Sequence, residues 1–176
     1  MSSNSTSIGR FAGLDLSITP GFWIGCALLT GLIGLGLALF AAMSPLAALG
    51  GGLLGTLLYW FSEILHNLGH ALAAKRTGYP MTGIRLGFLF ILGRSLYPAD
   101  EGELPAAVHM RRAAGGPILS ATFGLVAIAV GVLMGNIPGA WVTGFGLLNV
   151  FLFGLGALVP IGFTDGSTLL YWRNRP

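Results

Sequence analysis

The 176 residues are 54% apolar and only 9% charged, with 29 glycines and a mean hydropathy of +0.80. A soluble domain of this length carries about 25% charged residues, so the composition excludes an ordinary water-soluble globule and points to an integral membrane protein. The net charge of +3 comes from nine Lys/Arg against six Asp/Glu. These basic residues flank apolar runs, which makes them membrane-interface anchors and argues against a nucleic-acid surface.

Residues 7–19 alternate apolar and polar (Ile8, Phe11, Leu14, Leu16, Ile18) around Gly9 and Gly13, the pattern of a short strand or hairpin at the membrane interface. A first span follows at about 21–43, too long for the h-region of a signal peptide. Its Cys26 is the only cysteine and excludes an intramolecular disulfide. A second span covers about 46–74, with Gly50-Gly51-Gly52 able to bend or fray its start. Residues 84–92 are apolar between Arg85 and Arg94 but too short to cross as a helix, and their content suggests a strand dipping toward the site. Residues 100–104 read as an acidic, exposed loop. The third and fourth spans lie at about 117–135 and 140–159, the last closed by Pro160. The expected fold is an all-α polytopic membrane protein, a four-helix transmembrane bundle with short interfacial β-strands, forming one domain over 1–176.

Charge placement orients these spans. Arg10 precedes the first, Lys75, Arg76, Arg85, Arg94, Arg111 and Arg112 fall between the second and third, and Arg173 and Arg175 follow the fourth. Four spans put all nine on one face. The positive-inside rule makes that face cytoplasmic, with both termini inside.

Only Glu63 and Asp165 are acids in or against the spans. An ionisable group at the bilayer centre costs about 2.5–3.5 kcal/mol on insertion scales, so both are functional candidates. The second span contains Glu63-Ile64-Leu65-His66-Asn67-Leu68-Gly69-His70. Residues four apart share a helix face, so His66 and His70 can reach one metal ion, and Glu63 projects from the same side. Two His and one carboxylate are a sufficient protein shell for tetrahedral Zn²⁺ with one position open. A structural polar cluster and a proton or ion pathway are the other readings of such residues. The spacing is that of H-E-x-x-H zinc hydrolases, in which the Glu is the general base. Asn67 stands at that position, and an amide cannot take a proton from water. His109 reads as an interfacial residue.

Three motifs in order resemble the site-2 protease family of intramembrane zinc metalloproteases, in the short form without soluble domains. The opening Ile8-Gly9-Arg10-Phe11-Ala12-Gly13-Leu14-Asp15-Leu16 looks like that family's N-terminal strand, and the helix carrying His66 and His70 looks like its H-E-x-x-H helix. Gly115-Gly116-Pro117-Ile118-Leu119-Ser120 resembles its Ala-Gly-Pro-Leu-x-Asn signature. The run from Leu158-Val159-Pro160 to Asp165-Gly166 resembles its Asn-x-x-Pro-x-x-x-x-Asp-Gly signature. The resemblance implies His66, His70 and Asp165 as zinc ligands. It also implies a substrate that is itself a transmembrane segment, unwound beside a sheet edge, for which the strand at 84–92 is the candidate.

The departures fall on the reaction and spare the metal. The general-base position is Asn67, the Asn after Gly-Pro is Ser120, and the Asn three residues before Pro160 is Ala157. Gly116, Pro117, Ser120 and Ala157 mark the region that would face peptide or oxyanion. Glu63 lies one turn before the expected base, where three roles are open to it: a fourth ligand that closes the site, a hydrogen-bond partner of a ligand His, or a displaced base. The reading that follows is a membrane-embedded zinc protein, weak or inactive as a protease, that binds a transmembrane peptide or membrane-protein partner. The alternative is an active intramembrane metalloprotease.

Overall fold

The computed structural model describes residues 5–175. Its elements in chain order are β1 (Thr6–Phe11), β2 (Leu14–Ile18), α1 (Pro20–Phe40), α2 (Pro45–Arg76), β3 (Gly83–Phe88), β4 (Leu92–Leu96), α3 (Ala106–Met134), α4 (Asn136–Leu148) and α5 (Asp165–Trp172). A π-helical segment, Asn149–Leu155, and a 3₁₀ turn, Gly156–Leu158, prolong α4. Among the described residues four helical stretches are long and apolar enough to cross a membrane: Pro20–Phe40, Pro45–Arg76, Ala106–Met134 and Asn136–Leu158. The protein is therefore an integral multi-pass membrane protein, largely helical, with one small sheet.

Two compact units divide the described chain. One holds β1, β2, α1, α2 as far as Phe61, and Thr82–Leu96; the other holds Ser62–Met81 and the chain from Tyr97 onward.

In the first unit the sheet order is β1-β2-β3-β4, with β1/β2 and β3/β4 antiparallel and β2/β3 parallel. The hairpin expected at 7–19 is β1–β2. The single strand expected at 84–92 is instead most of a hairpin: β3 stops at Phe88, Leu89 and Phe90 turn the chain with φ of 46° and 70°, and β4 begins at Leu92. The apolar run hid the turn because neither Leu89 nor Phe90 is a usual turn residue. The hairpin also corrects the expected docking edge. β3 is paired on both sides, so a further strand cannot add there, and the edge strand on that side is β4. The turn packs on the helices of its own unit. Tyr59 donates its hydroxyl to the carbonyl of Ile91 at 2.9 Å, and a Cβ on Gly25 would run into the carbonyl of Phe90. The rings of Phe22 and Trp60 pack at a 42° tilt with centroids 4.6 Å apart, and the hydroxyls of Thr30 and Thr56 join α1 to α2 at 2.9 Å. Gly50-Gly51-Gly52 does not break α2, which runs unbroken from Pro45.

The second unit differs from expectation at both ends of its long helices. The third span starts at Ala106, not 117, so Arg111 and Arg112 belong to the helix rather than to a loop, and Pro117 lies inside it. A proline is poor evidence for a helix start when the preceding residues also favour helix, as Ala106 to Ala114 do. The fifth helix, α5, was not expected; eight residues carry too short a period to detect. Helices here pack through small residues. Gly69 of α2 faces Gly115 of α3, and Gly124 and Gly131 of α3 face Gly146 and Gly139 of α4, so tightly that a Cβ at any of them would strike opposing backbone. Asn149 opens the π segment and is fully buried; its amide donates to Ser62 Oγ at 2.8 Å and to the Phe145 carbonyl at 2.9 Å.

Candidate metal centre

The face of α2 inside the second unit carries Ser62, Glu63, His66, Asn67 and His70, all buried. Their one-sided placement follows from the 3–4 residue spacing. Buried polar groups need partners, and each imidazole has one on the ring nitrogen away from the cluster. His70 Nδ1 lies 2.8 Å from the backbone carbonyl of Arg112. The Gly116 N–H also points at this nitrogen, at 3.3 Å, but the carbonyl contact is much the shorter, and since a carbonyl only accepts it favours the proton on Nδ1 and a lone pair on Nε2. His66 Nδ1 lies 3.2 Å from Ser120 Oγ.

The third member comes from far along the chain. Thr164 precedes α5 with extended backbone, and its hydroxyl donates to the Val159 carbonyl at 2.5 Å. Gly162, with φ of +99°, folds the loop, and its N–H donates to Ser167 Oγ at 2.7 Å. These bonds set Asp165 in the first turn of α5, where the helix dipole favours a carboxylate. Gly166 admits no side chain, because a Cβ there would collide with the backbone of Leu158.

The result is a cluster of three ligand-type groups. His70 Nε2 and His66 Nε2 are 3.0 Å apart, His66 Nε2 and Asp165 Oδ2 are 3.1 Å apart, and His70 Nε2 and Asp165 Oδ1 are 3.4 Å apart. Ligands at ~2.0–2.2 Å around a tetrahedral ion stand roughly 3.3–3.6 Å from each other, so the third edge matches and the other two need to open by a few tenths of an ångström to admit Zn²⁺. The lone pair on His70 Nε2 faces the second imidazole nitrogen and the carboxylate, so two nitrogens and one carboxylate converge on one point. The donor set therefore fits a zinc-type metal ion.

Glu63 is not in the group of ligand atoms that lie within 4.8 Å of one another, which among the described residues is His66, His70 and Asp165. Its carboxylate instead accepts a hydrogen bond from Asn67 Nδ2 at 3.3 Å, and the same Nδ2 donates to the Glu63 backbone carbonyl at 2.9 Å. Asn67 thus turns its amide back along α2. Gly116 and Pro117 are buried in α3 against the cluster: a Cβ on Gly116 would overlap the rings of both His66 and His70. Ser120 is fully buried on His66, and Ala157 sits half-buried in the 3₁₀ turn. Phe153 of the π segment supplies an apolar wall, its ring 5.9 Å from that of His66. His109 lies outside the cluster and stacks flat on Trp172 of α5 at 4.1 Å.

Sequence reasoning missed Arg112 and Glu101. Arg112 reads as one of a pair of interface anchors and Glu101 as part of a solvated loop. Arg112 is 5% exposed, and its guanidinium grips Glu101 through two bonds of 2.6 and 2.9 Å. It also donates to the Tyr79 carbonyl at 2.7 Å and lies 4.1 Å from the centre of the Tyr97 ring. Glu101 is held below the usual carboxylate range, first by the hydrogen bond from Arg112. No periodicity announces a pair eleven residues apart across a loop.

Over 94% of its length the chain superposes on a solved structure, the Site-2 Protease from Methanocaldococcus jannaschii, with a TM-score of 0.70 and 24% identity, covering 69% of that chain. The architecture is thus a site-2-protease-like fold, as the three motifs lead one to expect. No family model matches the chain, and neither does any curated protein.

Proposed function

We propose that this is a membrane-embedded, zinc-binding protein on a site-2-protease scaffold, weak or inactive as a protease, that acts by binding a transmembrane peptide or membrane-protein partner. His66, His70 and Asp165 are the ligands in this reading. The observation that carries it is Asn67. Its side chain occupies the general-base position, cannot accept a proton, and spends its N–H donors on Glu63. Bound zinc would polarise a carbonyl or water as a Lewis acid. The residues around it hold ligands rather than move protons: Ser120 and the Arg112 carbonyl orient the imidazoles, and Gly116 lets α3 close on them. A groove of about 420 Å³ lined by Met110, Leu158, Pro160, Gly166, Leu169, Leu170 and Arg173, apolar except for the one guanidinium, is compatible with a largely apolar partner. The nine basic residues support cytoplasmic termini.

One observation favours the alternative, an active metalloprotease. Glu63 is a buried carboxylate one turn before Asn67 and within hydrogen-bond reach of it. In that reading Glu63 serves as the base. The deciding experiment measures metal content by mass spectrometry and cleavage of a labelled transmembrane peptide by the unmodified protein and by Glu63→Gln. Background cleavage with one zinc per chain supports the first reading. Efficient cleavage that Glu63→Gln abolishes, with metal retained, establishes the second.

A further inference from the structure

We propose that Arg112, locked by Glu101, is the positioning residue for His70. The inference rests on the metal-binding reading above. Arg112 acts through two different parts of itself. Its backbone carbonyl accepts the Nδ1–H of His70 at 2.8 Å, which fixes the tautomer and turns Nε2 toward His66 and Asp165. Its side chain anchors the first turns of α3, which carry that carbonyl, to the loop before the helix and to the end of α2. The guanidinium is held by both oxygens of Glu101, by the Tyr79 carbonyl just past the end of α2, and by the face of Tyr97. A buried, forked guanidinium with these partners has one orientation, whereas a lysine ammonium would satisfy only part of the set.

The placement also ties together three stretches of chain. Tyr79 follows the helix that carries His70, Glu101 lies in the loop before α3, and Arg112 lies in α3 four residues before Gly116, whose missing side chain admits the His70 ring. An ordinary surface ion pair contributes little and orders nothing. This one is buried on the arginine side, bidentate, and one backbone carbonyl away from a candidate ligand. Glu101 therefore reaches His70 without touching it.

The test uses the full chain in detergent, stripped of metal and titrated with Zn²⁺ against a competing chelator, and with Co²⁺ for its electronic spectrum. The variants are Arg112→Lys, Glu101→Gln, the two together, and Glu103→Gln as an exposed acid of the same loop. Arg112→Lys and Glu101→Gln should each weaken Zn²⁺ about 10–100-fold, the range for losing a partner of a ligand His. Each should also alter the Co²⁺ spectrum at saturation, which a purely stabilising contact would not move. The double variant should be no worse than the poorer single one, because both act through one link. Glu103→Gln should match the unmodified protein. Unchanged affinity and spectrum in both single variants, beside normal binding by the unmodified chain, would overturn the inference and leave the metal reading intact. Failure of the unmodified chain to bind metal overturns both. Should Arg112→Lys not fold, Glu101→Gln alone decides by the same two readouts.

Discussion

The Oγ of Ser120 lies 3.2 Å from Nδ1 of His66, in a side chain with no exposed surface. The residue that stands where the resembling family has a substrate-facing amide is here turned onto a candidate metal ligand. Ser120→Ala should therefore act on the metal and not only on catalysis. It removes the partner of one ligand imidazole, and zinc affinity should fall by about tenfold or more by the same logic that applies to His70. Ser120→Asn should not rescue catalysis, since a larger side chain in a filled site costs about 1–3 kcal/mol through overpacking. Chelator-competition titration and thermal unfolding of both variants check the two halves.

Gly116→Ala is expected to be among the most damaging single-methyl changes in the protein. Its Cβ would overlap the imidazoles of both His66 and His70, so either α3 withdraws or the rings rotate off their geometry. The loss should be about 1–3 kcal/mol in stability together with the metal. Gly102→Ala, in open space, is the control. Zinc content after purification and the unfolding midpoint distinguish them; a Gly116→Ala protein with full metal and normal stability would refute the packing argument.

How much of this was legible beforehand depends on the range of the signal. His66 and His70 declare themselves because a helix turns i, i+4 spacing into proximity, and Asp165-Gly166 because the motif keeps both the acid and the glycine that Leu158 demands. The four spans are visible in composition, since the bilayer allows little else. What was hidden is non-local or subtle. The β3–β4 turn uses Leu89 and Phe90 in positive-φ conformations that their types do not advertise. The start of α3 is hidden because Pro117 reads as a helix beginning, which leaves Arg112 in a loop and Glu101 solvated as far as sequence goes. Asn149 lies eight residues before the altered Ala157, and nothing in its neighbourhood foretells a fully buried amide on Ser62.

Topology is testable independently of the metal. Reporter fusions after Met43 and after Gly135, which follow α1 and α3, should read as non-cytoplasmic. Fusions after Arg76 and after Arg173 should read as cytoplasmic, with the basic residues. A cytoplasmic reporter at Gly135 contradicts the four-span orientation.

The Arg112–Glu101 pair should appear in the pH dependence of stability. Glu101 sits below the usual carboxylate range because Arg112 bonds its charged form. A carboxyl depressed in the folded state contributes its full stabilisation above its unfolded-state value and loses it as pH falls through the folded one. The unmodified chain should thus be more stable than Glu101→Gln at neutral pH, and the difference should shrink on acidification through and below the usual carboxylate range. Melting curves of both proteins across that range give the answer; a gap that is constant with pH would mean the ionised pair is not what stabilises.

The last prediction concerns restoring the base. Asn67→Glu supplies the group whose general-base action is worth ~10²–10⁴-fold in such chemistry. It should nevertheless recover only part of any protease activity, for a reason specific to this chain. Asn67 Nδ2 now donates to Glu63 Oε1 at 3.3 Å, and both residues are buried. A carboxylate at position 67 would exchange that hydrogen bond for a like-charge contact at i, i+4 in a dry environment. The restored base is then pushed away from the site by Glu63. Adding Glu63→Gln removes the competing charge and returns a side-chain amide donor to the pair. The double variant Asn67→Glu/Glu63→Gln should therefore cleave a labelled transmembrane peptide faster than Asn67→Glu alone, although Glu63→Gln by itself stays at background. Ser120 and Ala157 still leave the reaction without the amides of the resembling family, so activity should remain incomplete even then. If Glu63→Gln instead lowers the rate of Asn67→Glu, Glu63 takes part in the proton transfer, and the assignment of this chain as a scaffold without a base is wrong.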